Sequence, residues 1–167
     1  MKTEIVSGMI LTLLLTVMLA SAFNIPPAEL EAIIDVSPST LNLKSNGKWI
    51  TAYIQLPENY NVSEINRTTI LLNDTIPVDS FWMRKPLKSV VGDHDEDDIS
   101  DLMVRFDRTE VEELIFNASL PDHRFFYVTL TITGMLTDET RFEGNQAIRA
   151  ILPYYKHSSY KCRFMPI

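Results

Sequence analysis

The chain has 167 residues, 46% hydrophobic and 22% charged, with 22 acidic against 15 basic side chains and a formal charge of -7. That length supports one domain with a substantial core, and the acidic balance argues against nucleic acid, whose binding calls for basic patches. The lone cysteine, Cys162, excludes an internal disulfide, so stability has to come from the core, a bound cation or partners.

Residues 9–20, MILTLLLTVMLA, form an uncharged apolar run the length of a signal-peptide core, too short to span a bilayer comfortably. Ala20-Ser21-Ala22 then supplies a small-x-small cleavage site, and Pro26-Pro27 stops any continuing helix. Residues 1–22 therefore read as an export signal helix. An uncleaved anchor is the alternative, because Lys2 is offset by Glu4, and only in that case would the chain touch a membrane. One domain is expected over residues 23–153. The tail 154–167, YYKHSSYKCRFMPI, differs in its basic, aromatic character and reads as an irregular extension, or else as the site of an intermolecular disulfide through Cys162. Export is also the setting in which Asn61, Asn66, Asn73 and Asn117, each two residues before Ser or Thr, would carry glycans.

Strand patterns fill most of the remaining chain. Ile50, Ala52, Ile54 and Leu56 alternate with polar residues and Tyr53, the period of a half-buried strand. Val128, Leu130 and Ile132 alternate with Thr129, Thr131 and Thr133, and the threonines favour a sheet. Further short runs at residues 32–36, 41–43, 69–72, 89–91, 102–106, 141–142 and 147–152 are separated by Pro, Gly, Asn or Asp. One short helix interrupts them, starting at Asp107-Arg108-Thr109-Glu110 with Val111, Leu114 and Ile115 on one face. The fold predicted is mostly β: an Ig-like antiparallel β-sandwich with one short helix. Trp49 and Trp82 read as core or sheet-face residues before they read as a sugar platform.

Between two of these runs lies VGDHDEDDISDLMV, with six acidic residues from Asp93 to Asp101. Asp93, Asp95, Asp97 and Asp101 follow D-x-D-x-D-x-x-x-D, and the Ile99 carbonyl falls where such loops donate a backbone oxygen. Hard, oxygen-only ligands at this spacing suit calcium, with magnesium second because of its stricter octahedral demand. The alternative is a solvated acidic turn. Asp98 stands where glycine usually makes the sharp turn and so needs a left-handed backbone. Val104 occupies the position where an EF-hand places its bidentate Glu, so Asp101 has to close the site.

The segment GDHDEDDISDLMVRFDR resembles G-D-x-D-G-D-G-x-x-D-L-M-V-K-F-D-R in exported archaeal and bacterial surface proteins. The stretches LNLKSNGKWITAYIQLPE and TLTITGMLTDETRFEGNQAIRAI look like flanking parts of the same domain. Such domains are taken as Ig-like β-sandwiches with a loop similar to those of dockerins and thrombospondin type 3 repeats. The resemblance covers about residues 32–151 and implies calcium ligation by Asp93, Asp95, Asp97 and Asp101, an archaeal or bacterial source, and a cell-surface location. The pattern has glycine where this chain has Glu96 and Asp98.

No enzyme is expected. His94, His123 and His157 have no metal-ligand spacing, and no nucleophile elbow, phosphate loop or nucleotide fingerprint occurs. His94 reads as a solvent-facing side chain. Two functions follow: a calcium-stabilised structural or adhesive module whose partners are cell-envelope proteins or glycans, or a carbohydrate- or protein-binding module of a secreted assembly. An aromatic row exposed on one sheet would favour the second.

Overall fold

Alternation of branched apolar residues with polar ones decides the architecture. The computed structural model describes residues 29–118 and 124–152, so the apolar run 9–20, His123 and the tail with His157 and Cys162 lie outside the described residues. The strands are β1 (Glu29–Glu31), β2 (Ile33–Ser37), β3 (Thr40–Asn42), β4 (Trp49–Gln55), β5 (Ile65–Leu72), β6 (Ile76–Pro77), β7 (Val91–Gly92), β8 (Asp101–Asp107), β9 (Phe125–Leu136) and β10 (Arg141–Ile151). Helix α1 (Ser80–Met83) lies between β6 and β7, and α2 (Arg108–Asn117) follows β8 directly. Among the described residues no helix is long and apolar enough to cross a membrane.

Two sheets form a β-sandwich. The first has the order β1-β10-β9-β5-β6, with β3 also on β10, and the second the order β2-β4-β8-β7. Ile50, Ala52 and Ile54 of β4 and Leu102, Val104 and Phe106 of β8 meet Ile70 and Leu72 of β5, Leu130 and Ile132 of β9, and Phe142 and Ile148 of β10, all buried. Each large side chain so placed contributes roughly 1.5–3 kcal/mol relative to exposure. The alternations at β4 and β9 thus fall where the sequence predicts them, with threonines on the outer face of β9.

Three details differ from the sequence reading. β1 and β3 pair with β10 in parallel, so the sandwich is not wholly antiparallel. A second helix, α1, is present, capped by the Asp79 carboxylate, which accepts from the backbone N–H groups of Phe81 and Trp82. The runs 141–142 and 147–152 belong to one strand, β10, paired to β9 without a break. The intervening Gly144 and Asn145 look like punctuation in the sequence, but Gly144 and Gln146 each answer a neighbouring strand. β1 leaves the first sheet at Ala32, whose N–H donates to the Glu143 carbonyl, and a Cβ on Gly144 would stand 2.3 Å from the Ala32 carbonyl oxygen. Gln146 then accepts from the Val36 N–H and donates to the Asp35 carboxylate at 3.2 Å, tying β2 to β10 across the sheets.

α2 begins as predicted. Asp107 caps it by accepting from the Thr109 N–H at 2.7 Å, and Val111 and Ile115 are buried. Arg108, 6% exposed, reaches back to the β3–β4 connection, donating to the Asn42 carbonyl at 2.7 Å and the Ser45 hydroxyl at 2.6 Å while pairing with Glu112 at 2.7 Å.

Candidate metal site

The acidic stretch is the loop of a hairpin. Val91 pairs with Leu102 and Gly92 with Asp101, which closes residues 93–100 between β7 and β8. Within the loop, Asp93 organises the turn: its Oδ1 accepts from the Asp97 N–H at 3.1 Å and its Oδ2 from the Asp98 N–H at 3.0 Å. Two residues adopt left-handed backbone, Glu96 (φ 62) and Asp98 (φ 68). These are the two positions at which the resembled pattern has glycine, so the loop keeps the bends and accepts the cost of a Cβ there.

This winding brings Asp93, Asp95 and Asp101 together, one carboxylate oxygen from each lying within 4.8 Å of the others. Asp93 and Asp95 are exposed; Asp101, on the first residue of β8, is 6% exposed. Three acceptor-only groups at such a separation form a cluster that could hold a metal ion, since like charges in a partly desolvated place repel until a cation compensates them. Burial pushes the Asp101 carboxyl above the usual carboxylate range. The His94 N–H, donating at 2.9 Å, opposes that rise, and the charges of Asp95 and Asp97 reinforce it.

Asp97 lies outside the cluster. Its Oδ2 accepts from the Gln55 side-chain amide at 2.7 Å and its Oδ1 from the Ile99 N–H at 2.8 Å. The Ile99 N–H first, then the Gln55 amide, hold the Asp97 carboxyl below its ordinary range. Ile99 is half-buried, two residues before β8 begins.

Two anchors were not visible in the sequence. Gln55 sits at the end of β4, opposite Asp101, and is buried. Tyr53, two residues earlier, stacks on the His94 ring with centroids 3.5 Å apart and planes 6° apart. His94, though exposed, is therefore a packing residue. Tyr53, Val90, Asp93, His94 and Asp101 help line a cleft of about 220 Å³ beside the cluster. The only hints in the sequence are that Tyr53 and Gln55 occupy the outward positions of their strand.

The sequon asparagines have structural duties. Asn61, exposed, caps the short turn at Val62–Glu64 by accepting from the Ser63 N–H, and Asn66, exposed near the start of β5, accepts from the Thr68 N–H. Asn73, half-buried with φ 48, accepts from the Thr131 N–H, and Asn117 is exposed at the end of α2.

No family model, curated protein or solved structure matches the chain.

Proposed function

We propose that the protein is an exported, non-catalytic β-sandwich module of the cell envelope whose hairpin loop binds calcium, giving a structural or adhesive part stabilised by the ion. The observation that carries this reading is the convergence of Asp93, Asp95 and Asp101 on a loop wound by two left-handed residues and pinned to β4. Oxygen-only ligands on an exposed, irregular loop favour calcium, which tolerates irregular geometry, over magnesium, which demands a near-ideal octahedron. Three carboxylates satisfy part of a coordination shell of six to eight oxygens, which leaves water or the Ile99 carbonyl to complete it. Export, the surface-protein family and an archaeal or bacterial source rest on the signal-like N-terminus and on the likeness of the loop segment.

Calcium titration followed by calorimetry tests this. One site per chain is expected, with a dissociation constant of roughly 0.1–1 mM, the range of extracellular modules. Absence of binding at ten times that concentration would contradict the assignment.

One observation favours the second reading, a carbohydrate- or protein-binding module. Phe125 and Tyr127 stand side by side on the outer face of β9, Tyr127 being 71% exposed, with the Arg149 guanidinium 4.4 Å from the Phe125 ring. Trp82, by contrast, packs against the core and donates its ring N–H to the Met103 carbonyl. Cosedimentation with an insoluble polysaccharide, lost in Tyr127→Ala, would support the binding role.

A further inference from the structure

The edge of the second sheet is divided by charge, and the division lies on either side of its outermost strand. β7 is the last strand in the order β2-β4-β8-β7. Before it come Phe81, Arg84, Lys85 and Lys88 on α1 and the turn that follows; after it come Asp93, Asp95, Glu96 and Asp98. A chain with a formal charge of -7 thus concentrates three cations within five residues, next to its densest run of anions.

Neither set is neutralised by an ion pair among the described residues. Among the described residues, Arg84, Lys85, Lys88, Asp93, Asp95, Glu96 and Asp98 form no ion pair. The Lys85 ammonium lies instead over the rings of Phe81 and Trp82, 4.9 and 5.8 Å from their centroids. Phe81 is 53% exposed, a large apolar side chain amid the cations. The basic segment is held in place by backbone contacts: Arg67 donates to the Lys85 carbonyl at 3.1 Å, and the Met103 N–H to the Val90 carbonyl at 2.7 Å. Its charges therefore sit on an ordered surface.

From this arrangement we infer that the β7 edge is a self-complementary docking surface for a second copy of this chain. Two copies related by a two-fold axis, approaching with their β7 edges antiparallel, bring residues 84–88 of one onto residues 93–98 of the other, and the reverse contact follows from the symmetry. Charge complementarity selects this occupant, because the chain itself carries an anionic segment to match the basic one, which has no ion-pair partner among the described residues. The exposed Phe81, with the Lys85 ammonium over its ring, adds an apolar contact beside the basic segment. A bound cation would neutralise only part of the acidic segment, since Glu96 and Asp98 lie outside the carboxylate cluster. This inference does not depend on the metal assignment.

Charge reversal tests it, with sedimentation velocity in chelator at low salt on the full chain and two variants. One variant carries Arg84→Glu and Lys88→Glu; the other carries Glu96→Lys and Asp98→Lys, which leaves Asp93, Asp95 and Asp101 in place. The unmodified chain is expected to sediment as a dimer that dissociates with added salt, and each variant alone as a monomer. An equimolar mixture of the two variants is expected to restore the dimer, because reversed patches then face complementary ones. Circular dichroism melts establish that both variants fold. A monomeric parent chain, a dimer indifferent to either reversal, or a mixture that stays monomeric would overturn the inference. So would a monomer whose basic segment instead binds vesicles of anionic lipid.

Discussion

Gln55, at the end of β4, donates its side-chain amide to the Asp97 carboxylate at 2.7 Å and so ties the acidic hairpin loop to the neighbouring strand. Gln55 is buried and faces Asp101 across the β4–β8 ladder, which makes one strand end the support for both the loop and the carboxylate cluster. Asp97 thereby serves as a strut, while Asp93, Asp95 and Asp101 converge.

The strut has a testable consequence. Gln55→Ala removes the donor without touching a clustered carboxylate. Calcium affinity is expected to fall roughly tenfold, the lower end of what outer-shell partners of a metal site contribute. Calorimetric titration of the variant reads this directly, and an unchanged affinity would mean that Asp97 needs no support.

Burial and the charges of Asp95 and Asp97 disfavour the ionised Asp101 carboxyl, and the His94 N–H offsets this only in part. Asp101→Asn keeps an acceptor for the His94 N–H and removes the charge. The ion-free melting temperature is expected to rise by about 2–4 °C, the effect of ~1 kcal/mol in a domain of this size, and the response to calcium is expected to vanish. Melts with and without calcium check both.

Gly144 allows the chain leaving β1 at Ala32 to pass close against β10. In Gly144→Ala the new methyl would meet the Ala32 carbonyl oxygen, part of the backbone rather than a movable side chain. A loss of roughly 1–3 kcal/mol is expected, as for other overpacked sites, read from urea denaturation. A stability unchanged from the parent would contradict the close approach.

Arg108 joins α2 to the β3–β4 connection through part-buried hydrogen bonds to the Asn42 carbonyl and the Ser45 hydroxyl, and pairs with Glu112 one turn along α2. Arg108→Met keeps apolar bulk but leaves Glu112 and the Asn42 carbonyl without their partner. Destabilisation of about 1.5–3 kcal/mol is expected, the range for hydrogen bonds to a charged group, measurable in the same denaturation experiment.

The pH dependence of the β9–β10 turn follows from Asp138. The Thr140 N–H, donating at 2.9 Å, holds the Asp138 carboxyl below its ordinary range. A depressed carboxyl binds fewer protons in the folded state, so its contribution is fully present above the unfolded value and is lost as pH falls through the folded one. Asp138→Asn preserves the acceptor and lacks the charge; its melting temperature is expected to fall less steeply with acidification than that of the parent. Parallel pH profiles would show that the contact has no ionic part.

The parts of the fold legible in the sequence are those with local causes. The alternations in β4 and β9 and the cap of α2 at Asp107 need only near neighbours. The left-handed turn at Asp98 is likewise written in the spacing of its loop. The continuity of β10 was not legible, because Gly144 and Gln146 are explained by residues 32–36, more than a hundred positions earlier. Gln55 and the Tyr53–His94 stack are hidden for the same reason: about forty residues separate the partners, and nothing in either segment marks the other. Asp97 fits the ligand spacing as well as Asp93 does, and only the position of Gln55 distinguishes strut from cluster.

The most direct test of calcium binding at the hairpin loop is a thermal melt of the protein in calcium, in magnesium and in chelator. With calcium at ten times its dissociation constant, linkage adds about 1.4 kcal/mol, so the melting temperature is expected to rise by roughly 3–6 °C in calcium and to change little in magnesium. No shift with either ion would mean that residues 93–101 form only a solvated acidic turn, and the account of a calcium-stabilised module would fail.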